Sequence, residues 1–121
     1  MAKIMRGTLE AIALAAQNVY PDEFIALLGS RKKGVIDEFV VLPATFGESS
    51  SSLRMDLLPF DKSIVGSVHS HPSRSARPSS GDLLAFPAMG EIHLIIAYPF
   101  SLGSARAFDA KGKELAIEVV E

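Results

Sequence analysis

The chain contains no cysteine, and that absence removes three chemistries together: a disulfide framework, a thiolate metal site and a cysteine nucleophile. Any metal must therefore be held by His, Asp or Glu. A strong charge of one sign is missing as well. Twelve basic and 14 acidic residues are mixed along the sequence and leave a formal net charge of −2, which gives no electrostatic footprint for nucleic acid or an anionic membrane surface. The longest apolar stretches, such as Ile92 to Phe100, fall far short of the roughly 20 residues that cross a bilayer, and no continuous apolar signal-peptide core precedes Glu10. These absences predict a soluble, cytoplasmic protein without nucleic-acid or membrane partners. Repeats and internal linkers are also lacking. At 121 residues the chain has the size of one compact domain, 1–121, with room for one site. Monomer and homodimer both stay open.

What is present is a globular balance, 48% hydrophobic and 21% charged. From Thr8 onward Leu9, Ile12, Ala13, Ala16, Val19 and Tyr20 recur at helical spacing until Pro21 stops them. Glu23 to Gly29 is a short apolar run opened by an acid and reads as a buried strand. A turn over Ser30 to Gly34 leads to the β-formers of Val35 to Leu42. Pro43 to Ser52 has loop composition. Strand character resumes over Leu53 to Leu58 and Ile64 to Val68, with a turn at Pro59 to Lys62. A polar loop, Ser73 to Pro78, precedes a short helix starting near Ser79 and reaching Phe86. Ile92 to Tyr98 is a strand, and Ala105 to Phe108 with Leu115 to Val120 form a hairpin around Asp109 to Gly112. The sum predicts an α+β fold, a single mixed or antiparallel sheet flanked by two helices.

The informative segment is Gly66-Ser67-Val68-His69-Ser70-His71-Pro72. Side chains two apart on an extended chain point to one side, so both imidazoles can reach one ion. Pro72 cannot donate to a sheet ladder, and the strand should end there with the histidines at an open edge. A catalytic zinc site typically takes three protein ligands and leaves a position for water. Asp82 is the nearest downstream candidate, in a first helical turn that favours a carboxylate. Each residue also has a plainer explanation. One histidine could pack at a strand end while the other is exposed, Ser79 and Asp82 could form a capping pair, and Glu23 could belong to an exposed turn. His93 has no second ligand at suitable spacing and reads as structural, and Ser70 should point away from the histidines.

In register, His69-Ser70-His71-Pro72, six residues, Ser79, two residues and Asp82 fill every position of the JAMM (MPN-plus) metalloprotease pattern. The segment Tyr20-Pro21-Asp22-Glu23-Phe24 with Leu28-Gly29 resembles that family's upstream glutamate element. The resemblance covers nearly the whole chain. It implies the cytidine-deaminase-like fold of MPN domains, with one zinc ion per chain held by His69, His71 and Asp82. Glu23 would be the general base and Ser79 the group that stabilises the oxyanion. It also implies a metallo-isopeptidase acting on ubiquitin-like conjugates, with the segment from Ala44 to Asp56 at the position of a substrate flap. Two alternatives remain beside it: C-terminal processing of a sulfur-carrier ubiquitin-like protein, and a non-catalytic MPN scaffold. Against the scaffold stands the intact set of His69, His71, Asp82 and Glu23.

Overall fold

The computed structural model describes residues 1–32, 34–42 and 63–121. The loop expected over Pro43 to Ser52, the strand over Leu53 to Leu58, the turn over Pro59 to Lys62 and the flap region lie outside them. Along the chain run β1 (Ala2–Met5), α1 (Arg6–Val19), β2 (Ile25–Gly29), β3 (Glu38–Val41), β4 (Ile64–His71), α2 (Ser80–Met89) and β5 (Ile92–Ala97). A 3-10 turn (Leu102–Ser104), β6 (Arg106–Phe108), β7 (Glu114–Leu115) and β8 (Ile117–Val120) complete it.

Among the described residues six strands form one mixed sheet in the order β3-β2-β4-β5-β6-β7. Only β4 and β5 are parallel within it, as a pair joined through a crossover helix should be. Alternation along the strands splits the core into two layers. Ala26, Leu28, Val68, Leu94 and Ile96 face α1 and meet its stripe of Leu9, Ile12, Ala13 and Ala16. On the opposite face Ile95, Ala97 and Phe108 pack with Phe86 of α2, and Leu27 packs with Met89. The expected pair of helices flanking a mixed sheet is therefore present.

Two features were not read from the sequence. β1, with Ala2 and Ile4 buried and Lys3 exposed, precedes the helix and pairs in parallel with β8 as a separate two-stranded ribbon. Consequently the segment expected as one strand from Leu115 to Val120 divides at Ala116. Leu115 pairs with Ala107 in β6, whereas Ile117 pairs with Ala2. The parallel neighbours β4 and β5 also approach closely at Gly66, where an added Cβ would stand 1.5 Å from the Ile92 carbonyl oxygen. Only glycine fits that spacing. No helix among the described residues is long and apolar enough to cross a membrane.

Candidate metal centre

β4 runs to His71, three residues beyond the strand expected over Ile64 to Val68, so both imidazoles stand on an extended chain and on the α2 side of the sheet. Pro72 follows, and the loop from Pro72 to Pro78 folds back so that α2 starts against the strand end. Ser79 caps that helix. Its side-chain oxygen accepts the Asp82 N–H at 3.1 Å, while the Asp82 carboxylate accepts the Ser79 N–H at 2.8 Å, a reciprocal capping box. The cap locks the Asp82 side chain in a position from which it also meets both histidines. His69 Nε2 lies 3.0 Å from Asp82 Oδ1, and His71 Nε2 lies 3.2 Å from Oδ2. One ligand atom from each of the three residues falls within 4.8 Å of the others.

The hydrogen bonding around this triad bears on whether its donor atoms suit a cation. The Ser75 carbonyl can only accept, so His71 Nδ1 carries a hydrogen and donates to it at 3.0 Å. Nε2 then meets the carboxylate in one of two ways: as an N–H that donates to Asp82 in the protonated ring, or, in the neutral ring, as a lone pair facing another acceptor, an arrangement that a cation between them satisfies. His69 Nε2 is buried and has no hydrogen-bond partner among the described residues, the nearby Asp82 oxygen included. Two imidazole nitrogens and a carboxylate oxygen converging on one point are a donor set that suits Zn²⁺, and the carbonyl bond at His71 Nδ1 is the kind of outer support that orients a histidine ligand. Burial pushes the Asp82 carboxyl upward, but its contacts with His69 and His71 outweigh that and hold it well below the usual carboxylate range. Reciprocally, the bond to Asp82 raises His71 above its ordinary value, with burial opposing.

Glu23 is exposed and lies just ahead of β2, rather than opening that strand as expected. It is close enough for its negative charge to favour the protonated form of His71. Ser79 is exposed at the helix start; as a cap its oxygen accepts a bond, which leaves its O–H free in valence to donate elsewhere. The plain capping role and a role toward a substrate are thus compatible in one side chain. Tyr98, whose N–H reaches both the His71 and Ser73 carbonyls, ties the loop after His71 to the end of β5.

His93 is separate from this group. Its Nε2–H donates to the Gly90 carbonyl at 2.8 Å, Ser67 Oγ bonds Nδ1 at 2.7 Å, and its ring stacks on Phe86 at 4.1 Å. It joins α2 to β5, as its lack of partners in sequence suggested. Ser70 was expected to point away from the histidines and does so. Its hydroxyl is held by the Phe24 N–H at 2.8 Å, a contact that spacing could not reveal because it depends on the register of β2 against β4.

Comparison with known proteins bears on the family and the fold. A family model, prokaryotic homologs of the JAB domain, matches residues 5–111. A probable metalloprotease of Haloferax volcanii is 33% identical over 98% of this chain and 79% of its own length. Among solved structures, a JAB1/MPN domain protein from Archaeoglobus fulgidus is similar with a TM-score of 0.79 and 40% identity, over 98% of this chain and 99% of that one. A structure described as JAMM, a metalloprotease-like zinc site in the proteasome and signalosome, gives 0.76 and 40% identity over 100% and 99% of the two chains.

Proposed function

Because the chain belongs to the JAB/MPN family in its prokaryotic, JAMM metalloprotease-like branch, we propose that it is a zinc-dependent metallo-isopeptidase that removes ubiquitin-like modifiers from lysine. The observation that carries this reading is the convergence of His69, His71 and Asp82, with the buried His69 Nε2 lacking a hydrogen-bond partner among the described residues. In it, His69, His71 and Asp82 hold the ion, one per chain. When bound, zinc supplies Lewis acidity, polarising a carbonyl and bringing the pKa of a water to about 7.

The remaining steps belong to side chains. Glu23 accepts a proton from the attacking water as its oxygen joins the carbonyl carbon, and returns a proton to the lysine amine as the carbon–nitrogen bond breaks. The Ser79 hydroxyl donates a hydrogen bond to the oxyanion that develops on the substrate carbonyl, an effect worth roughly 10²-fold in rate. Its capping bond to the Asp82 N–H keeps that hydroxyl beside the carboxylate ligand. Supporting a protein substrate is the description of the Haloferax volcanii relative as a probable metalloprotease.

The test uses a ubiquitin-like protein joined through its C-terminus to lysine, incubated with zinc-loaded wild type and with Glu23→Gln, the products being resolved by mass. The expected result is release of the intact modifier by wild type and a loss of at least about 10²-fold in the variant. A modifier shortened at its C-terminus would instead favour sulfur-carrier processing. Equal activity in both proteins would remove Glu23 from the mechanism.

A further inference from the structure

Ser70 stands between the two histidines of β4, and strand alternation sends its side chain to the α1 face, where it is fully buried. There it holds one residue of a neighbouring strand twice. The Ser70 N–H donates to the Phe24 carbonyl at 2.9 Å, and its hydroxyl accepts the Phe24 N–H at 2.8 Å. Register makes the second bond unusual. Ile25 faces His69 across the β2–β4 ladder, so Phe24 faces Ser70, and a regular antiparallel pair would return the Phe24 N–H to the Ser70 backbone carbonyl. The hydroxyl takes the place of that carbonyl. The ladder ends there, β2 starts at Ile25, and the preceding residue is the exposed Glu23.

We propose that Ser70 is a positioning residue, gripping both backbone polar groups of Phe24 and thereby setting where the Glu23 carboxylate stands relative to His69 and His71. What Glu23 does there rests on the function proposed above. Three consecutive residues of one strand then divide the work: His69 and His71 face the metal centre, and Ser70, on the reverse face, fixes the backbone that carries the base. The Phe24 side chain adds a second anchor, buried in the α1-side core and edge-on to Phe39 with ring centroids 6.0 Å apart. Without the hydroxyl, the buried Phe24 N–H must either rejoin the Ser70 carbonyl or open to water, since leaving it unpaired is unfavourable. Both movements carry Glu23 with them, and a displacement of about 1 Å can cost about 10²-fold in rate.

The variants are Ser70→Ala, Ser70→Thr, which keeps the hydroxyl, and Ser70→Cys, which keeps the bulk with only a weak acceptor. On the isopeptide substrate, zinc-loaded Ser70→Ala and Ser70→Cys are expected to lose about 10- to 100-fold in kcat with KM within about twofold, and Ser70→Thr to recover most of the loss. In the metal-free protein, hydrogen exchange at the Phe24 amide should rise by about tenfold or more in the Ala and Cys variants and not in Thr. With cobalt(II) in the metal's place, the visible spectrum of Ser70→Ala should shift from wild type in the same sense as that of Glu23→Gln. An unchanged Phe24 exchange rate overturns the anchor. A loosened Phe24 with wild-type kcat, or with a cobalt spectrum identical to wild type, overturns the positioning. A wild type inert on the conjugate would sink the isopeptidase reading alone, and exchange and cobalt spectra would still decide the role of Ser70.

Discussion

At His71 the bond to the Asp82 carboxylate raises the imidazole above its ordinary value, whereas His93, enclosed between Ser67, Phe86 and the Gly90 carbonyl, is pushed down to about 4 by burial. The same side chain is drawn toward its charged form in one place and away from it in the other, and only the first lies at the candidate metal centre. The depressed value at His93 has a consequence for stability. Because the folded-state value lies below the ordinary 6.5, the unfolded chain binds the proton more readily. The contribution of neutral His93 is therefore complete above about pH 6.5 and is lost as pH falls toward 4, by on the order of 3 kcal/mol in all. His93→Gln retains an amide donor for Gly90 and an acceptor for Ser67 but does not titrate. Urea unfolding of wild type and variant should show a stability difference that changes by about that amount between pH 7 and pH 4. A difference constant across that range would mean that His93 does not titrate as a buried neutral imidazole. Other groups, His71 and Asp82 included, cancel in the comparison to the extent that they titrate alike in both proteins.

Elements meet the site through β4, which must lie close to β5 for α2 to cross between them. Gly66 is the point of closest approach, so Gly66→Ala drives a methyl group into the Ile92 backbone. Urea denaturation should show a loss of at least about 4 kcal/mol or no folded protein. Gly7 in α1 is the control: a Cβ there meets nothing within 4 Å among the described residues, and Gly7→Ala should stabilise by about 0.5 kcal/mol. Similar tolerance at both positions would contradict the packing of the parallel pair. The two glycines look alike in sequence, and that contrast marks what was legible. Local periodicity exposed the buried stripe of α1, the shared side of His69 and His71, and the first-turn place of Asp82, because each depends on residues within a few positions. The ribbon of β1 and β8 was not legible, since a four-residue strand has too few alternations and its partner lies at the other end of the chain. The division of Leu115 to Val120 has the same cause, as does the Ser70 contact to Phe24: long-range register decides both.

Across the whole molecule, the sheet holds the strand end and the helix start in one place, with α1 packed behind the strands and α2 in front. The histidines come from the end of β4, the carboxylate from the first turn of α2, and the loop from Pro72 to Pro78 closes the distance between them. The motif residues were legible because they sit on either side of that one loop. Assigning Glu23 a role needed the resemblance, because it stands ahead of a different strand, outside the local pattern that links the other three. The capping box gives Asp82 a structural role as well, so removing its charge tests the metal centre only if the cap is kept. Asp82→Asn retains an oxygen for the Ser79 N–H while losing the anionic ligand. The most direct measurement is a calorimetric zinc titration of metal-free wild type and Asp82→Asn, with the folded state of each checked by circular dichroism. The expected result is one zinc ion per wild-type chain and a loss in the folded variant of more than about 10²-fold in affinity, beyond what outer-shell changes typically cost. Failure of wild type to bind zinc, or full affinity in Asp82→Asn, would contradict a metal centre built from His69, His71 and Asp82.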